Sequence, residues 1–489
     1  VVIIGAARQG LALARYLALH GAHVVINDRR PVDEMENALA SLSDLPQNAV
    51  EWVFGGHPLE VLDGADVLCP SGGVSLQMPL VQEARQRGVT LSNDSQIFLE
   101  AAPCRVIGIT GSAGKTTTTT LVGRMAQAAF GSTNNLSENS RRSALGVRNE
   151  ASDTRTSNIT NIQTDTKVWV GGNIGAPLVA AVDQMKPNDL AVMELSSFQL
   201  EIMTRSPQTA AVLNITPNHL DRHANMEEYT TAKKRILDFQ AADDLAVLGR
   251  DDPGAWKLTA SIHGRLASFG LQQPGPLQMG TYVREHQLFW QNGVEHTCLM
   301  PCSDILLRGE HNLLNVLATC AIAAVTGLPV KAMQAGVQGF LGVPHRLELV
   351  REWKGARWYN DSIATAPERS IAAMRSFNEP LVLLAGGRDK NLPWEDFAAL
   401  VCRRVDHLIL FGEAAGKIRQ AVEQAKSAER QRPFSIKCCA GLREAVQEAA
   451  QVVRPKDVVL LSPGGTSFDE FIDFEDRGDT FRQWVMSLN

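Results

Sequence analysis

Short apolar runs that end in glycine or polar turns, each followed by a stretch of helical spacing, recur along the whole chain. The first is Val1-Val2-Ile3-Ile4-Gly5, followed by a helical pattern from Gly10 to Leu19 and a strand pattern from His23 to Ile26, ending at Asn27-Asp28. The segment ADVLCPSGG then runs a further strand into a glycine turn. A second series opens with Cys104 to Thr110, a glycine loop and a helix, and continues with strands at VWVGG, DLAVMEL and TAAVLNI and a helix from Asn312. A third holds RWYNDS, PLVLLAGG, HLILFG and DVVLLSP. Apolar runs alternating with helical patterns predict largely parallel sheets, with loops gathered at the carboxyl ends of the strands.

The predicted fold class is therefore α/β in three blocks, with boundaries at 1–97, 98–343 and 344–489. A stretch from Gly131 to about Asp165, rich in Ser, Asn, Thr and Arg, interrupts the second block. It has too few large apolar residues to order itself by burial and is predicted to be an exposed or partly disordered insertion.

A length of 489 residues exceeds what one hydrophobic core serves, in agreement with several domains. The formal charge of −6 argues against a broad nucleic-acid surface. No run reaches the roughly 18 to 20 apolar residues of a membrane span. No basic-then-apolar leader precedes the first strand, and the missing initiator Met points to a slight truncation. The eight cysteines make no metal or disulfide pattern and are predicted to be reduced thiols of a cytoplasmic protein.

The sharpest local signal is Thr110-Gly111-Ser112-Ala113-Gly114-Lys115-Thr116-Thr117, between a strand and a helix. Glycines allow the tight turn that aims successive N–H groups at phosphates, and the helix N-terminus favours negative charge. Lys115 would neutralise the β and γ phosphates of ATP, and the Thr116 hydroxyl would coordinate Mg²⁺. Ile109 stands where the longer phosphate loop has its first glycine, so the loop is of a shorter T-G-S-x-G-K-T type. Gly5 and Gly10 are weaker signals. Their spacing departs from G-x-G-x-x-G and fits tight strand–helix packing as well as a ligand site. A nicotinamide dehydrogenase built on them would leave the phosphate loop unexplained.

Further segments complete a pattern: GGNIGAP (171–177), ELSSFQL (194–200), NITPNHLDRH (214–223), YTTAKKR (229–235), GEHNLLN (309–315), PHRLE (344–348), NDSIAT (360–365), AGGRDK (385–390) and LSPGGTSFDEF (461–471). With TGSAGKTT they resemble the Mur ligase family along essentially the whole chain, in its glutamate-adding branch. The resemblance implies a Rossmann-like N-terminal domain for a uridine nucleotide, a central ATPase domain and a Rossmann-like C-terminal domain that closes over the site. It implies a cytoplasmic enzyme of peptidoglycan precursor synthesis, acting as a monomer. In that reaction ATP activates the carboxylate of UDP-N-acetylmuramoyl-L-alanine as an acyl phosphate, and the amine of D-glutamate displaces phosphate. L-glutamate is the alternative substrate, and a nucleotide-binding protein without ligase activity the more remote one.

The residues carried over make physical sense of that chemistry. Bringing anions together calls for lysines and divalent ions. Lys115, Glu194, His219, Lys233 and Lys390 are the implied catalytic residues. Two Mg²⁺ ions would be held by Thr116, Glu194, His219 and Lys233, the last as a carbamate, because an ammonium cannot ligate a cation. Without that context Glu194 could merely cap the following helix, and Lys234 is an ordinary helix lysine. ATP would contact Gly111, Ser112, Ala113, Gly114, Lys115, Thr116 and Thr117, with Asn312, Arg346 and Asp361. The UDP-linked substrate would meet Arg8, Gln9, Asp28, Arg29, Ser71, Gly73 and Asn173. The amino acid would meet Asn218, Thr365, Lys390, Ser467 and Phe474.

Three positions depart from the family pattern. Asn218 replaces an aspartate, Ile363 replaces a lysine, and Gly249 stands where an adenine-contacting Asn is usual. The first two remove one negative and one positive group from the amino-acid side of the site.

Overall fold

The computed structural model describes residues 1–46, 48–131, 166–217, 225–390, 392–426 and 432–488. Most of the expected insertion, residues 132–165, lies outside the described residues, as do Asn218 and His219.

The chain divides into two compact units, Val1–Phe340 and Leu341–Asn489. The first contains two sheets. Strands β1 (Val2–Ile4), β2 (Val24–Asp28), β3 (Val50–Phe54), β4 (Val67–Pro70) and β5 (Thr90–Leu91) form an all-parallel sheet in the order β3-β2-β1-β4-β5. The order reverses at β1, which opens a crevice between the carboxyl ends of β1 and β4.

The second sheet holds β6 (Arg105–Thr110), β7 (Val168–Gly172), β8 (Leu190–Glu194), β9 (Thr209–Val212), β10 (Leu245–Gly249), β11 (Arg265–Phe269), β12 (Met279–Arg284), β13 (Gln287–Asn292) and β14 (Glu295–Pro301). Their order is β14-β13-β12-β11-β10-β9-β6-β8-β7. From β12 to β7 neighbours are parallel, and β13 and β14 add an antiparallel hairpin edge. Every residue of β8 and all of β6 but Arg105 are buried, the continuous apolar signature of a strand covered on both faces.

The two sheets of this unit share a core. Leu13, Ala14 and Ala18 of the helix Arg8–Leu19, and Phe98 of the helix Asp94–Ala101, pack in one cluster with Leu178, Val179 and Val182. Residue 97, the boundary expected from the sequence, falls inside Asp94–Ala101, whose start is fixed by Asn93 accepting the Gln96 N–H at 2.8 Å.

The second unit is a six-stranded sheet of β15 (Glu348–Trp353), β16 (Ala356–Asn360), β17 (Leu381–Gly386), β18 (Val405–Phe411), β19 (Ser435–Cys438) and β20 (Val458–Gly464), in the order β15-β16-β20-β17-β18-β19. All pairs but β15–β16 are parallel. All eight cysteines carry free thiols. Among the described residues no helix is long and apolar enough to cross a membrane.

Candidate active site

The phosphate loop leaves β6 and enters the helix Lys115–Phe130. Gly114 turns it with φ +82°, a left-handed conformation, and a Cβ there would lie 2.1 Å from Asn315 Oδ1. The segment after β9 braces the loop. Asn214 accepts the Ala113 N–H at 2.8 Å and donates to the Ala113 carbonyl at 3.1 Å, while Ser112 Oγ donates to Thr216 O at 2.9 Å. Tyr229 donates to Ser112 Oγ at 3.1 Å. Neither Asn214 nor Tyr229 is singled out by the sequence reading. Their signal is only that they stand in NITP and YTTAKKR.

Two lysines converge behind this loop. Lys115 Nζ donates to the Gly111 carbonyl at 2.9 Å, and Lys233 Nζ donates to the same oxygen at 3.0 Å and to Thr110 Oγ1 at 3.4 Å. Lys233 is buried, projecting from the helix Met226–Asp238. Burial and the charge of Lys115 push its ammonium well below the ordinary lysine value, against the opposing pull of Glu194. Its neighbour Lys234 points away and pairs with Asp238 at 3.2 Å.

Glu194 ends β8 beside β6 and is 2% exposed. Asn173 donates to its Oε1 at 3.0 Å, whereas Oε2 is buried with no hydrogen-bond partner among the described residues. The next helix is capped by Ser196, which forms a capping box with Gln199, so Glu194 is not its cap. A buried carboxylate oxygen with no donor is costly unless a cation satisfies it. The donor set therefore fits Mg²⁺: a carboxylate oxygen here and the half-buried Thr116 at the helix start. Among the described residues no three His, Cys, Asp or Glu side chains gather to hold a metal.

A cleft adjoins the loop, lined by Ala113, Gly114, Leu213, Asn214, Gly249, Asp251, Asp252, Phe269, His311, Leu314 and Asn315. Asn312 borders it through a 3.2 Å bond from Asn315. Gly249 has a steric cause here. A Cβ at this position would lie 2.3 Å from the Leu213 carbonyl oxygen and 3.1 Å from the Phe269 ring. Arg250 turns out of the cleft to Ser268 Oγ at 2.5 Å. Asp252 accepts the Ile215 and Ala255 N–H groups at 3.0 and 2.7 Å.

In the N-terminal sheet, Gln9 and Ser71 line a small crevice at the β1/β4 switch point together with Asn93 and Asp94. Arg8, Arg29 and Gly73 are exposed nearby in sequence. Asp28 is already engaged: it accepts the Ala6 N–H at 2.8 Å and pairs with Arg30 at 2.8 Å, bonds that hold its carboxyl well below the ordinary aspartate value. Asn173, expected at the UDP-linked substrate, is the partner of Glu194.

In the second unit the expected residues gather at the carboxyl ends of β16, β17 and β20. Asp361 is buried, accepting the Leu347 N–H at 3.2 Å and the Ser462 hydroxyl at 2.8 Å. Burial pushes its carboxyl up to about 7, against those bonds and the charges of Arg346 and Arg369. Arg346 and Thr365 are half-buried, and Lys390 is exposed. Ser467 is buried in a turn whose carbonyl accepts the Glu470 and Phe471 N–H groups at 3.1 and 2.8 Å. Phe474 opens the last helix, and its carbonyl accepts the Ser362 hydroxyl at 2.8 Å.

Three family models match this chain in order. Residues 1–93 match one described as Mur ligase MurD-like, N-terminal domain; residues 109–323 match Mur ligase middle domain; residues 345–465 match Mur ligase, glutamate ligase domain. A UDP-N-acetylmuramoylalanine–D-glutamate ligase of Symbiobacterium thermophilum is 37% identical over 487 residues, spanning 100% of this chain and 98% of that protein. A protein of the same name from Acetivibrio thermocellus is 33% identical over 489 residues, spanning 100% and 96%. The crystal structure of UDP-N-acetylmuramate-alanine ligase from Thermotoga maritima superposes with a TM-score of 0.53 at 17% identity, covering 99% of each chain, a likeness of fold.

Proposed function

The chain belongs to the Mur ligase family, and from that premise we propose that it joins D-glutamate to UDP-N-acetylmuramoyl-L-alanine at the expense of ATP, in peptidoglycan precursor synthesis. Three domains, matching the N-terminal, middle and glutamate-ligase models of the family, carry the reaction. A free carboxylate is a poor electrophile because oxide would have to leave. The muramoyl-alanine carboxylate attacks the γ-phosphorus of ATP, forming an acyl phosphate and releasing ADP. The glutamate amine then adds to the acyl carbon, loses a proton, and the tetrahedral intermediate expels phosphate as the amide forms.

The observation that carries this reading is the convergence of Lys115, Lys233 and the unpartnered Glu194 oxygen on one phosphate loop. Lys115 is placed to leave the Gly111 carbonyl for the transferring phosphoryl group and balance its charge. Mg²⁺, when bound, neutralises the approaching anions; Glu194, Thr116 and His219 would hold it. We assign Lys233 as a carbamate. Burial beside a second lysine favours its neutral amine, which adds to carbon dioxide and loses a proton to become an anion suited to a second ion. The cleft at Gly249, His311 and Asn315 suits the adenosine, and the β1/β4 crevice suits the uridine nucleotide. Lys390, Thr365, Ser467 and Phe474 are the residues we assign to the glutamate. We assign the reaction to the cytoplasm, the compartment that supplies ATP and nucleotide-linked sugars.

Phosphate release by the purified chain tests the reading. It is expected with UDP-N-acetylmuramoyl-L-alanine, ATP, Mg²⁺ and D-glutamate together. Release with L-glutamate alone would reverse the stereochemistry, and release with a neutral or basic amino acid instead would overturn the substrate class.

A further inference from the structure

Arg477 is the fourth residue of the helix Phe474–Met486 and is completely buried. No carboxylate among the described residues forms an ion pair with it. Its partners are instead two loop segments. Nε donates to Ser362 Oγ at 2.9 Å, Nη2 to the Ser362 carbonyl at 2.9 Å, and Nη1 to the Gly465 carbonyl at 3.2 Å. A third segment presses on the same group: a Cβ on Gly387 would lie 2.8 Å from Nη1. The guanidinium thus sits where the chain leaves three adjacent parallel strands, β16, β20 and β17.

Each of these segments leads to a residue assigned above. Ser362 follows Asp361, Gly465 precedes Ser467 by two positions, and Gly387 precedes Lys390 by three. Burying a charge without a counter-ion in contact is unfavourable, and an apolar side chain of similar volume would fill the space at lower cost. Burial pushes the group down to about 10, with Asp469 and Glu470 opposing at longer range, so it stays protonated at neutral pH. A planar fork sends its donors from three separate nitrogens in fixed directions and so reaches a hydroxyl and two carbonyls on different segments, whereas an ammonium offers its donors from a single atom. Asp361 has its own anchors at Leu347 and Ser462, independent of this group. The Gly465–Ser467 turn is otherwise tied to Arg388, by backbone pairing with Thr466 and by the Thr466 hydroxyl donating to the Arg388 carbonyl at 3.4 Å.

We propose that Arg477 is a positioning residue for the amino-acid half of the reaction, locking the Ser362 and Gly465 segments together so that the Ser467 turn is formed before glutamate arrives. The inference rests on the assignment of Ser467 to the glutamate site.

Arg477→Lys keeps the charge and loses the fork. The expected result is a rise of tenfold or more in the KM for D-glutamate, with the KM for ATP within threefold of the parent and the unfolding midpoint retained. Ser362→Ala removes one acceptor only, should raise the same KM by a smaller factor, and carries the test if Arg477→Lys does not fold. Ser467→Ala separates the premise from the inference. If it raises the glutamate KM while Arg477→Lys and Ser362→Ala leave it within twofold, the positioning role is overturned and the site assignment stands. If Ser467→Ala leaves that KM unchanged, the site assignment falls and the inference with it. A parallel rise in the ATP and glutamate KM values would reduce Arg477 to a general structural role.

Discussion

Lys115 and Lys233 donate to one and the same acceptor, the carbonyl oxygen of Gly111, at 2.9 and 3.0 Å. Two ammonium groups on one oxygen repel, and burial penalises the charge of Lys233 further. The pair is relieved when one lysine loses its charge or when an anion enters between them.

We assign the half-buried Lys115 ammonium to the transferring phosphate. Lys115→Ala is therefore expected to cut phosphate release by at least about 10²–10³-fold, with an unchanged thermal midpoint. Parental turnover by the folded variant would remove the residue from the transferring phosphate.

Lys233→Ala should be nearly inactive and partly rescued by a small carboxylic acid such as acetate. In protein equilibrated with ¹³C-labelled carbon dioxide, a carbamate carbon resonance is expected. It should vanish in Lys233→Ala and persist in Lys234→Ala, whose lysine is occupied with Asp238. Persistence in Lys233→Ala would place the modification elsewhere.

Glu194→Gln keeps the shape and the Asn173 contact while removing the charge. Loss of a charge-assisted interaction of about 1.5–3 kcal/mol is expected to raise the Mg²⁺ concentration for half-maximal phosphate release by roughly ten- to a hundredfold. An unchanged magnesium titration would assign the orphan oxygen another partner.

Gly249→Ala forces a Cβ against the Leu213 carbonyl. It is expected to cost about 1–3 kcal/mol of stability and to raise the KM for ATP, read by urea unfolding and initial rates. A neutral effect on both would show that the β9–β10 segment yields.

Asp94 begins the helix Asp94–Ala101 on the crevice floor, and burial pushes its carboxyl up to about 6 against bonds from Gln199 and Ser95. The folded protein holds this proton more tightly than the unfolded chain. Its stabilising contribution is full below the unfolded value of 3.8 and is lost as pH rises through about 6. Asp94→Asn removes that dependence. The stability difference between variant and parent should move by about 2 kcal/mol, in favour of the variant, between about pH 4 and pH 7. A constant difference in urea unfolding would show that the carboxyl titrates normally.

The sequence by itself determined what depends on neighbours along the chain. The phosphate loop could be read because strand, glycines, lysine and helix are contiguous, and the short buried strands because their apolar runs are continuous. Its resemblance to a family supplied the identities of distant partners such as Glu194 and Lys233 without supplying contacts. Only the tertiary structure decided which atoms meet. The order β9-β6-β8 brings Asn214 and Glu194 to either side of the loop, a long-range pairing that local periodicity does not encode. It also showed that Asn173 donates to Glu194 and that Asp28 pairs with Arg30. Gly249 looked like a lost ligand in the sequence; in the fold it is the residue that the Leu213 carbonyl leaves room for. Arg477 is one of many arginines along the chain until the ends of three strands close around it, because burial and hydrogen-bond geometry are properties of packed elements rather than of residue types.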